Sequence, residues 1–145
     1  MKRIQVTRIL TKAEIDALNS TALTIVSAPK STQIFVPRSI FVSKLTGNAA
    51  SAGTADLQFV YTGDTEVIMA VFDADASGGV LGDNADRFVI ADNVQTSATA
   101  GSNFPVVENA LALGKGFDIK ASAAITSAAS TTVQVTVEGY IVDVR

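Results

Sequence analysis

The sequence has no histidine, no cysteine and no tryptophan. Without histidine, the side chain that most often carries protons at neutral pH is missing. A Ser-His-Asp triad is excluded for the same reason. Without cysteine there is neither a thiol nucleophile nor a disulfide, so cysteine usage says nothing about the redox compartment. Charge is scarce too: 17% of residues are charged, against about 25% in an ordinary soluble domain. Long hydrophobic runs are absent. A run such as "VIMAVF" at 67–72 falls far short of the roughly 20 residues a bilayer requires. The first ten residues, "MKRIQVTRIL", contain no apolar stretch followed by small residues, as a secretion signal would. The expectation is a chain that stays in the cytoplasm where it is made, with no membrane partner.

What is present is apolar. The 145 residues are 48% hydrophobic, which suits one domain over residues 1–145 with a substantial core. The low charge leaves two explanations: a large core, or a surface partly buried against copies of the chain or a partner. The net charge of -3 argues against nucleic acid, which needs a basic face. The early cations Lys2, Arg3, Arg8 and Lys12 read as a solvated edge.

Loops rich in Ala, Ser, Thr and Gly separate short segments rich in Val, Ile, Phe and Thr. That spacing predicts an all-β, jelly-roll-like antiparallel sandwich. One short N-terminal helix is expected at "TKAEIDALN", where Thr11 and Glu14 form a capping box and Ile15 and Leu18 share a face. Strands are expected at 3–10, 22–27 and 33–45, the last interrupted at Pro37 by a bulge or an edge position. Residues 56–62 and 65–72 form a hairpin around Thr62, Gly63 and Asp64. The segment "EVIMAVF" is apolar on both faces, as in a central strand or one that meets another subunit. In "FDIKASAAI", residues Phe117, Ile119, Ala121, Ala123 and Ile125 point inward. The last strand changes phase between Val137 and Tyr140, which predicts a bulge near Glu138 and Gly139.

Little else carries chemistry. Gly114 and Gly116 in "LALGKGFD" lack the Lys-Ser/Thr of a phosphate loop and read as a turn. The acidic stretch from Phe72 to Phe88 opens like a calcium loop with Asp73, Asp75, Ser77 and Gly78. Its twelfth position is Asn84 instead of a bidentate glutamate, and strands flank it instead of helices. A polar surface loop is the favoured reading. No catalytic, cofactor-binding or metal-ligating residue is therefore assigned. Phe104, in a loop before Pro105, is either folded onto the core or an exposed anchor.

Two segments, "AEIDALNSTALTIVSAPKSTQIFVPRSIFV" (13–42) and "ENALALGKGFDIKASAAITSAASTTVQVTVEGYIVDV" (108–144), together cover a little under half the chain. They resemble the opening and close of small tailed-bacteriophage virion proteins: a short helix, a strand and turn, a long strand, and a final valine-rich strand with a tyrosine, here Tyr140. Asn109 also matches, while Ala22 replaces the usual proline and Lys30 the glycine after Pro29. The resemblance implies a capsid decoration (cement) protein without catalytic residues, found in the virion and often trimeric on the major capsid protein. Function is accordingly expected to be structural and non-enzymatic: a homo-oligomer, with a trimer favoured, that clamps capsid subunits. Residues 1–10 are the expected inter-subunit arm. The alternative is a glycan- or receptor-binding sandwich at a tail tip that uses the long loops.

Overall fold

In the computed structural model, the described residues are 1–46, 55–63, 68–74, 79–81, 88–92 (backbone only), 111–127 and 130–144. Their elements run β1 (Lys2–Leu10), α1 (Lys12–Ala17), β2 (Leu23–Val26), β3 (Gln33–Thr46), β4 (Asp56–Tyr61), β5 (Ala70–Asp73), β6 (Phe88–Asp92), β7 (Phe117–Ala121) and β8 (Thr132–Asp143). The strands form two four-stranded sheets, ordered β1-β8-β3-β6 and β2-β7-β4-β5, and every pairing is antiparallel. The chain is an all-β sandwich with one short helix.

The strand order has a simple origin. β1 pairs with β8, β2 with β7, β3 with β6 and β4 with β5, which describes a ribbon of four antiparallel pairs. Rolling that ribbon up sets β8 against β3 and β7 against β4.

The inward residues of β7 and the segment after it are as expected, with Phe117, Ile119, Ala121 and Ile125 buried and Ala123 packed on the core, but Asp118 between them is buried too, where it accepts from the Thr62 hydroxyl. The inward residues meet Phe35, Ile40 and Val42 of β3, Leu57, Phe59 and Tyr61 of β4 and Val133, Val135 and Val137 of β8 in one core cluster. The Tyr61 hydroxyl lies inside that core and donates to the Phe35 carbonyl at 2.6 Å, which satisfies a group that burial would otherwise penalise. Of "EVIMAVF", Met69, Ala70, Val71 and Phe72 are buried and Ile68 is half-buried, while Glu66 and Val67 lie outside the described residues. Yet β5 is the last strand in its sheet among the described residues. The hairpin is present as β4·β5, with Gly63 at φ +81; Asp64 lies outside the described residues.

The two predicted irregularities merge into one. The β1·β8 register runs unbroken through Glu138 and Gly139, so β8 has no bulge. The extra residue is Arg38 of β3, between the pairs Pro37↔Gly139 and Ser39↔Glu138. The apparent phase change has a steric cause. Gly139 keeps the inward alternation of Val133, Val135 and Val137, and the Phe35 ring covers the place where its side chain would be. Tyr140 and Val142 therefore stand on the outer face. Gly114, at φ +63, turns the chain from the Ile34↔Leu113 bridge into β7, and Gly116 packs against the Val26 carbonyl.

The capping box on α1 is complete: the Thr11 side chain accepts from the Glu14 amide, and the Glu14 carboxylate accepts from the Thr11 amide. A helix of six residues is too short to stand alone. Ile15 and Leu18 anchor it in the core. Lys12 Nζ donates to Asp16 Oδ2 (2.6 Å) and to the Ser127 carbonyl (2.5 Å). Asp16 Oδ1 accepts from the Ser127 amide and hydroxyl. Burial pushes the Asp16 carboxyl up, but the bonds from Lys12 and Ser127 outweigh it and hold the group below the usual aspartate range. With the folded value depressed, this contribution is whole above about pH 4 and is lost as pH falls through the lowered value. Asp16→Asn should therefore lower stability at pH 7 by about 1 kcal/mol and give melting midpoints that converge on the unmodified protein in strong acid. An undiminished gap at acid pH would assign the loss to packing instead.

Candidate interaction surface

Of the calcium-loop residues, only Asp73 is described. It ends β5 directly opposite Asp56 of β4, and the Val80 amide donates to its carbonyl at 2.8 Å, drawing residues 73 and 80 together. Burial, and then the Asp73 charge, raise the pKa of the Asp56 carboxyl. Asp75, Ser77, Gly78 and Asn84 lie outside the described residues, as does Phe104. Among the described residues no three carboxylates gather as a metal would need, and no helix is long and apolar enough to cross a membrane.

The N-terminal segment is better defined. Residues Lys2–Leu10, expected as an arm, pair along their whole length with β8 of the same chain, from Lys2↔Ile141 to Leu10↔Val133. The register has no bulge, and the strand contains no proline. β1 ends its sheet, and among the described residues no strand pairs with its other side.

The chain stands apart in sequence. No protein-family model matches it, and no curated protein matches it. Its surfaces must therefore be read from their own chemistry.

Four side chains of β1 turn inward: Ile4, Val6, Arg8 and Leu10. Leu10 is fully buried, while Ile4 and Val6 are only partly covered. Opposite them, Gly139 and Val137 are buried. The sandwich is thus open along β1. On the outer face stand Arg3, Gln5, Thr7 and Ile9, with Ile9 54% exposed. The cations read from sequence as a solvated edge are partly tied down. Arg3 donates across the face to Glu138 (Nε 3.0 Å, with Nη2 at 2.8 Å). Arg8 donates to Glu14 (2.9 Å) and to the Thr24 carbonyl (3.0 Å). Both guanidinium groups are thereby drawn back onto their own subunit. Composition could not reveal this, because Glu138 lies 135 residues from Arg3.

Proposed function

We propose that this chain is a non-enzymatic structural component of a phage particle, a capsid decoration protein that oligomerises and clamps neighbouring capsid subunits. The single observation that carries the reading is β1: a nine-residue strand whose outer edge pairs with no strand among the described residues, beside a partly uncovered apolar strip of Ile4 and Val6. Exposed edges of this kind bind by strand addition, in which main-chain hydrogen bonds supply affinity. The low charge and large apolar fraction suit lasting contacts, since obligate interfaces are apolar. The likeness of segments 13–42 and 108–144 to virion proteins supplies the particle and the expectation of a trimer. Removing residues 1–10 is a poor test, because β1 holds Leu10 in the core and covers β8. Peptide mass spectrometry of gradient-purified phage particles from the source should recover the chain in many copies per particle. Intact particles that lack it would refute the assignment.

A further inference from the structure

Proteins ordinarily protect a free strand edge with proline, a bulge, a short strand or outward charge. β1 has none of the first three, being nine residues long and straight in register, or about 30 Å at strand spacing. Of its cations, Arg3 and Arg8 are held back by Glu138, Glu14 and the Thr24 carbonyl, which leaves the exposed Lys2 at the start of the strand as the outward charge. Such an edge is built to accept a strand.

The occupant can be chosen from the side-chain pattern. We propose that it is β1 of a second copy, paired antiparallel across a twofold axis at Val6, so that two four-stranded sheets become one of eight strands. In this register Gln5 faces the partner copy's Thr7, Arg3 faces Ile9, Ile4 faces Arg8 and Lys2 faces Leu10. No like charges are opposed, and each Ile9 lies against an Arg3 stem. The inward Val6 residues meet at the axis and extend the partly covered strip of each copy. A slip by one residue would mismatch the inner and outer faces. A slip by two in one direction sets Lys2 against Arg8, and in the other it leaves Lys2 and Arg3 unpaired. The register that uses all nine residues is therefore also free of repulsion.

A twofold contact is separate from any threefold one: alone it gives a dimer, and added to a trimer it gives a hexamer. The pairing rests on the same β1 edge as the proposed function, but its readout is the mass of the isolated chain and not its recovery in particles, so the two failures are distinguishable.

The test uses solution mass of the full chain by light scattering across a dilution series, with thermal melting as the check on folding. The unmodified chain should run at an even multiple of 15.0 kDa. Q5K/T7K sets lysine opposite lysine twice across the axis and should weaken association about tenfold. Q5K/T7E carries the same first change but sets lysine opposite glutamate, and should restore or tighten it. Gln5 and Thr7 are exposed, so both variants should melt near the unmodified protein. A monomer or an odd-numbered assembly would overturn the proposal, as would equal dissociation of the two folded variants.

Discussion

Replacing Phe117 with alanine should destabilise the protein by about 4 kcal/mol. Phe117 is fully buried, and its ring is the hub of the aromatic core. It meets Phe35 edge-on at 5.5 Å, Tyr61 edge-on at 5.6 Å and Phe59 stacked at 6.1 Å between centroids. Phe35 belongs to one sheet, whereas Phe59, Tyr61 and Phe117 belong to the other. Truncation therefore removes a tie between the layers and leaves a cavity the strands cannot close without shifting. Since a domain is stable by only about 5–15 kcal/mol, the variant should be near the edge of folding. Urea unfolding followed by fluorescence and circular dichroism checks this: the midpoint should fall sharply at an unchanged slope. A loss below about 1 kcal/mol would show that the ring is not at the centre of the core.

The second large effect comes from adding atoms. Gly139→Ala should destabilise by about 3 kcal/mol, lowering the melting midpoint by roughly 10 °C. A Cβ at this position would lie 2.3 Å from the Val36 carbonyl oxygen and 2.6 Å from the Phe35 ring. The requirement is for space, since Gly139 is not among the residues with positive φ. Adding Phe35→Leu to Gly139→Ala should recover only part of the gap between Gly139→Ala and its own Phe35→Leu background, because the ring can be cut back but the carbonyl cannot. A Gly139→Ala protein that melts within a degree or two of the original would contradict the packing of β8 on β3.

Features that depend on near neighbours could be read directly from the sequence. The capping box at Thr11 and Glu14 is local chemistry, and it forms as read. The alternation from Phe117 to Ile125 is a period that burial enforces. Where a residue answers to a distant partner, the one-dimensional reading slips. In the sequence Gly139 stands as a break between two phases, because the Phe35 ring that fills its place lies about a hundred residues earlier. The bulge it suggested belongs to Arg38, across the pair. The same holds for the candidate surface. Arg3 and Arg8 are legible as charges, but their tethering to Glu138 and Glu14 is not. Residues 3–10 are recognisable as a strand, but nothing local shows that β8 is its partner.

The rolled ribbon also bears on how the molecule comes into being. β1 is made early and, among the described residues, pairs only with β8, while β3 is completed by both β6 and β8. Of the main pairings, only β4 with β5 joins consecutive strands. A growing chain can therefore close that central hairpin, but must hold its first strand unmatched until the last emerges. Such long-range closure makes folding slow, and it leaves the side of β1 that faces β8 without its partner until the last strand is made.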